Sequence, residues 1–189
     1  MMIRKSLSGF TLLELMMALA IGGIIVTLAV PSFKTSLDNQ RMTNATNELV
    51  MSLNLAKSEA IKRVSYVTIC KSNDSASCTG AATSWEDGWI VLANATPANL
   101  DSIDAGDEMI RIYPALSSKI TITPSGTVDG FVSFRPSGTL GTAAANFFGT
   151  LTTCDERGAD HARGIIMEPS GRWQVSHDQD HDASALTCS

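Results

Sequence analysis

Ser8-Gly9-Phe10-Thr11-Leu12-Leu13-Glu14 opens an apolar run that continues without a break to Val30. At a helical rise of about 1.5 Å per residue, Phe10 to Val30 spans roughly 30 Å, the thickness of a bilayer's hydrocarbon core. The leader before it, Met1 to Gly9, carries Arg4 and Lys5 and no acid. Glu14 is the one charge inside the run.

A secretory signal peptide would be cut behind its apolar core, and Ala18-Leu19-Ala20 has the small-x-small form. Cleavage there would leave Ile21 to Val30 as a greasy new end. A plain membrane anchor fits the length and the basic flank but leaves Glu14 unexplained, because a carboxylate in hydrocarbon costs about 3 kcal/mol on insertion scales. A cut on the polar side, between Gly9 and Phe10, accounts for both features. Phe10 then carries a free amine, and Glu14 becomes the fifth residue of the mature chain. Between adjacent copies in a bundle, one Glu14 carboxylate can meet the next copy's Phe10 amine. That pairing offsets the burial cost and fixes register.

Gly9-Phe10-Thr11-Leu12-Leu13-Glu14 before an unbroken apolar helix resembles the class III leader of type IV pilins and pseudopilins. The resemblance implies a prepilin peptidase that cuts after Gly9 and N-methylates Phe10, with Glu14 as the assembly carboxylate. It also implies that Gly23 and Pro31 are helix-weakening positions that permit local melting on filament assembly.

After Pro31, Phe33, Leu37, Met42, Ala45, Leu49, Leu53, Ala56, Ala60 and Val64 recur at threes and fours between polar residues, the signature of an amphipathic helix. One helix is therefore expected from about Phe10 to about Arg63. Beyond Ser65 come short β-rich runs: Tyr66 to Lys71, Gly88 to Ala93, Met109 to Tyr113, Ile120 to Thr123, Phe131 to Arg135, Phe147 to Thr153, Gly164 to Met167 and Trp173 to Ser176. Pro124-Ser125-Gly126, Pro136-Ser137-Gly138 and Pro169-Ser170-Gly171 share a composition that suits tight reversals. Residues 96–108 are acidic and short of apolar side chains and are expected as an exposed loop.

The expected fold is α+β: a long N-terminal transmembrane and amphipathic helix packed on an antiparallel β domain of two sheets. Its parts are a leader (1–9), a transmembrane segment (10–30), an amphipathic continuation (31–64) and a β-rich domain (65–189). Trp85-Glu86-Asp87-Gly88-Trp89-Ile90-Val91, Phe134-Arg135-Pro136-Ser137-Gly138 and the segment from Arg163 to Arg172 extend the resemblance to the GspH/FimT group of minor pilins and pseudopilins. That likeness implies a single-pass inner-membrane subunit with its domain in the periplasm. Its partners would be other pilin-like subunits, in a type IV pilus or a type II secretion pseudopilus, and the FimT-type likeness leans toward the pilus.

Composition bounds the other classes. The 189 residues hold 14 basic and 19 acidic side chains, a net charge of −5. Past Val64 the count is 7 basic against 15 acidic, or −8, so the domain has no general pull on nucleic acid. All four cysteines lie beyond the apolar run, on the oxidising side if the basic leader stays inside. Cys70 and Cys78 bracket a polar loop and are expected to pair, which leaves Cys154 and Cys188 to tie back the tail. There is no Cys-x-x-Cys and none of the usual enzyme signatures, so no metal, cofactor or catalytic residue is assigned, and a membrane-anchored periplasmic enzyme is disfavoured.

Two features near the C-terminus invite other readings. His177-Asp178-Gln179-Asp180-His181-Asp182 would offer a divalent metal two imidazoles if helical; a solvated tail is the plainer reading. Some FimT relatives bind DNA through Gly-Arg-x-Arg. Here Gly171-Arg172-Trp173-Gln174 lacks the second arginine, which leaves Arg172 for a phosphate and Trp173 for stacking, with three aspartates close behind.

Overall fold

A computed structural model of the chain describes residues 9–79 and 83–188, so nearly all of the leader lies outside the described residues. The chain divides into two compact units, Met1–Asn39 and Gln40–Ser189. One helix, α1 (Leu12–Arg63), supplies the described helical residues of the first unit and the opening of the second. Its 52 residues run unbroken through Gly22, Gly23 and Pro31.

Within the second unit eight strands follow: β1 (Tyr66–Lys71), β2 (Trp89–Asn94), β3 (Glu108–Tyr113), β4 (Ile120–Gly126), β5 (Phe131–Phe134), β6 (Gly149–Asp155), β7 (Arg163–Met167) and β8 (Trp173–Ser176). They form two four-stranded antiparallel sheets, ordered β3-β2-β1-β5 and β4-β6-β7-β8. One core joins the three layers. Leu49, Leu53, Ala56 and Ala60 of α1 meet Val67, Ile69, Trp89, Val91, Val132 and Phe134 of the first sheet and Ile122, Leu151, Ile165 and Met167 of the second. From Met42 to Ala60 the amphipathic stripe read from the sequence is buried, whereas its ends, Phe33, Leu37 and Val64, are exposed.

Edge strand β3 of the first sheet is mostly exposed, but the inner strands β1 and β2 are buried on the other face as well, which is why β2 reads as a continuous apolar run rather than an alternating one. There Cys78 and Phe131 pack on Cys70, Ile90 and Leu92. A polar row crosses three strands, with the Thr68 hydroxyl 2.8 Å from Asn94 Oδ1 and 3.1 Å from Ser133 Oγ. The 96–108 segment is mostly exposed, but Leu100 is buried, and Asp107 closes the loop by accepting from the Ala95 N–H at 2.7 Å and the Asp104 N–H at 3.0 Å.

The end of α1 has an unexpected cap. The Ser65 N–H bonds to the Ala60 carbonyl at 3.3 Å, a Schellman closure, and Val64 between them adopts φ 52°. Glycine normally fills that left-handed position, and a β-branched residue there is strained. Val64 is 75% exposed and contributes no core contact that would be lost. Val64→Gly should therefore raise stability by about 1 kcal/mol, measurable as a higher urea midpoint at unchanged m.

The three Pro-Ser-Gly triplets are not alike. Pro136-Ser137-Gly138 and Pro169-Ser170-Gly171 are three-residue loops with one bonding pattern. The third loop residue donates back to Arg135 O or Glu168 O at 2.8 and 2.9 Å, the preceding N–H closes on Thr139 O or Arg172 O at 2.9 Å, and the glycines take φ 78° and 77°. Pro124-Ser125-Gly126 instead continues β4, paired with residues 149–151 of β6. β4 is an edge strand, where proline's missing donor is tolerated. The third loop of this kind is His181-Asp182-Ala183, with Asp180 N–H to Ser184 O at 2.8 Å, Ala183 N–H to Asp180 O at 3.1 Å and Ala183 at φ 65°. No proline or glycine announces it.

Candidate functional site

The first unit carries the features that the sequence marks for assembly. Gly9, Phe10 and Thr11 lie outside the helix, and Phe10 is 76% exposed. The Glu14 N–H donates to Thr11 Oγ1 at 3.3 Å, and the Leu15 N–H donates to Thr11 O at 3.2 Å. Thr11 is thus the N-cap of α1 and Glu14 its third residue, where a carboxylate also complements the positive end of the helix. Among the described side chains from Leu12 to Val30, the large apolar ones are solvent-exposed in the single chain. Among the described residues, this is the one helix long and apolar enough to cross a membrane. A surface of that size has no place on a soluble monomer.

In the second unit the structure pairs Cys70 with Cys78 and Cys154 with Cys188, the two pairs read from the sequence. The second bridge returns the C-terminal tail to β6, where Leu186 packs on Cys154 and Ala162. Within the tail, the His177–Asp182 segment is neither helix nor strand, so the two imidazoles do not share a helical face. Ligand atoms of Asp180, His181 and Asp182 do come within 4.8 Å of one another. Asp180 is engaged, though: it accepts from the Ser125 hydroxyl at 3.0 and 2.8 Å and lies 2.7 Å from His181 Nδ1. The backbone N–H of His181 donates to Thr150 Oγ1 at 3.0 Å.

Ser125, His181 and Asp180 therefore meet, which their positions in the chain did not suggest. They do not form a charge relay. A hydrolytic triad puts serine on one imidazole nitrogen and the carboxylate on the other. Here both face Nδ1, Ser125 at 3.3 Å, and the serine proton goes to the aspartate. The cluster fastens the tail to β4.

Burial by itself would raise the Asp180 carboxyl, but hydrogen bonds from Thr150, His181 and Ser125 outweigh it and bring its pKa from 3.8 down to about 2. A carboxyl depressed on folding contributes stability that is complete above its ordinary value and lost as pH falls through the folded one. The tail should therefore hold at neutral pH and loosen between about pH 4 and pH 2. Amide exchange at His181, whose N–H faces Thr150 Oγ1 and the Asp180 carboxylate, should lose protection across that window once corrected for intrinsic rates, and Asp180→Asn should flatten the dependence.

Arg172 is exposed, while Trp173 is half-buried, edge-on to Phe134 with ring centroids 6.1 Å apart. The Lys57 ammonium sits 5.4 Å above the Trp173 ring and donates to Gly171 O at 2.9 Å. The face proposed for stacking is thus already held by a cation of the same domain.

The segments that carry the family likeness hold loops together. Trp85 is buried and donates its indole N–H to Asp129 O at 2.9 Å, while Trp89 stacks on Tyr113 at 5.2 Å. Arg135, not singled out from the sequence for any role, donates from Nε and Nη2 to Thr142 O at 2.8 and 2.6 Å, from Nη1 to Leu140 O at 2.9 Å, and from Nη2 to Ala145 O at 2.7 Å. One guanidinium so organises the whole 139–146 loop. Its five donors in a fixed fork are what the task requires.

An exposed apolar helix with one carboxylate in its first turn, continued into a helix-on-two-sheets domain, defines a pilin-like subunit. Residues 45–171 match the family described as type II transport protein GspH, and residues 4–30 match the prokaryotic N-terminal methylation motif. The chain belongs to the GspH family. Among solved structures it is similar to the type IV minor pilin FimU of Pseudomonas aeruginosa in two crystal forms. One is 19% identical with a TM-score of 0.55, covering 74% of this chain and 90% of FimU. The other is 19% identical with a TM-score of 0.53, covering 71% and 92%. No individual curated protein matches the chain.

Proposed function

We propose that the protein is a structural filament subunit, a minor pilin or pseudopilin, with no catalytic role. In this reading a prepilin peptidase removes residues 1–9 and methylates Phe10, and α1 holds the subunit in the inner membrane with its domain in the periplasm. The helix then joins other pilin-like subunits. The observation that carries this is the exposed apolar surface of α1 before Pro31, with Glu14 as the single charge of the Phe10–Val30 run, placed five residues after the glycine of the methylation motif. Glu14 of one subunit meets the Phe10 amine of its neighbour. Pro31 leaves the carbonyl one turn before it without a backbone partner, and Gly23 adds a second weak point where the helix yields on packing.

The family description points to secretion and the similar solved structures to pili. Both machines use this plan, and the subunit role is the same in each. The DNA-binding alternative gains nothing from the geometry around Trp173. Filaments sheared from the native host test the proposal: the chain should be recovered in them as a small fraction of total subunits, and its absence under assembling conditions would refute the reading.

A further inference from the structure

The proposed cut between Gly9 and Phe10 needs a backbone that the peptidase can grip. A peptidase takes up extended chain whose N–H and C=O groups are free to pair with it, and a bond wound into a helix offers neither. The structure leaves Gly9, Phe10 and Thr11 outside α1, and the device that does so is visible. Thr11 Oγ1 takes the Glu14 N–H at 3.3 Å, and Thr11 O takes the Leu15 N–H at 3.2 Å, the first bond of the helix.

Resting on the processing reading, we infer that Thr11 is a positioning residue for cleavage: its cap starts α1 at Leu12 and holds the Gly9–Phe10 bond out of the helix. The sequence supplies a competitor. Ser8 is also a capping residue, and a helix begun there would place Gly9 and Phe10 at its first two positions, with the scissile bond inside the first turn. Leu12 and Leu13 are strong helix formers and do not by themselves stop the helix from growing backward. Threonine at position 11 makes the later start the favoured one. When the helix end frays faster than the enzyme cuts, the rate follows the fraction of chains with the bond exposed.

The test uses the full chain in proteoliposomes with a prepilin peptidase, comparing the native sequence with Thr11→Ala and Thr11→Ser. Thr11→Ala should lower kcat/KM measurably, with the roughly fivefold shift in the helix-start equilibrium that loss of an ordinary cap produces as the upper bound, and Thr11→Ser should cleave at the native rate. In uncleaved chains labelled at Phe10, the carbon-13 Cα shift should move toward helical values in Thr11→Ala alone. Native-rate cleavage of Thr11→Ala, or slower cleavage with an unmoved Phe10 shift, overturns the inference and leaves the processing reading standing. A native chain that is never cut removes both.

Discussion

Gly171→Ala should cripple the folded domain. At φ 77° glycine is the residue that fits without strain, and an alanine Cβ there would collide with the carbonyl oxygen of Gly138 and lie 3.2 Å from Thr139 Cα. The obstacle is backbone on both sides, so no side chain can rotate away. The two Pro-Ser-Gly loops touch at this point, tied by Leu140 N–H to Pro169 O at 3.0 Å, and Lys57 of α1 closes on Gly171 O. Pushing them apart disturbs both hairpins and the helix face together. A loss of about 4 kcal/mol is expected, at the upper end for single substitutions, with a fall in Tm of about 10 °C or more. Gly158→Ala is the control. Gly158 has φ 83° and ψ −164°, but an alanine Cβ there would meet nothing within 4 Å, so only the backbone strain, about 1–3 kcal/mol, remains. Equal melting of the two variants would show that the loop-on-loop contact carries no weight.

Glu14→Ala should separate membrane insertion from assembly. Deleting the carboxylate removes an insertion cost of about 3 kcal/mol, so the variant should enter the membrane at least as well as the native chain. Cleavage should continue, because Thr11 still caps the helix. In the filament, the neighbour's Phe10 amine would be left buried without its counter-ion, a defect of about 3–5 kcal/mol, or a hundredfold or more in incorporation. The variant should therefore accumulate in the membrane fraction, processed and unassembled. Incorporation at native levels would rule out the proposed ion pair.

Much of the fold was legible because its signals are local. The period of apolar residues from Met42 to Ala60 marked the face that the core covers, and each β-rich run became a strand, with ends shifted by up to three residues. What stayed hidden depended on tertiary context. Pro124 looks like a turn residue and stands in β4 because that strand is an edge. The loop at His181-Asp182-Ala183 lacks turn residues, and the chain around it is held by Ser125 and Thr150, far away in sequence. Val64 ends α1 in a position where glycine is the usual signal. Arg135 organises a loop through backbone carbonyls, and carbonyl acceptors leave no trace in side-chain identities. For the assembly site the balance is reversed. Glu14 is conspicuous in sequence because it breaks an apolar run, whereas a single chain cannot display the neighbour that would pair with it.

The mature end of the chain tests the account most directly. Intact-mass and N-terminal analysis of the protein recovered from the native host's filament fraction should show a chain that begins at Phe10 and carries one added methyl group. A chain in that fraction that begins at Met1, or at Ile21 after cleavage behind Ala18-Leu19-Ala20, would contradict it.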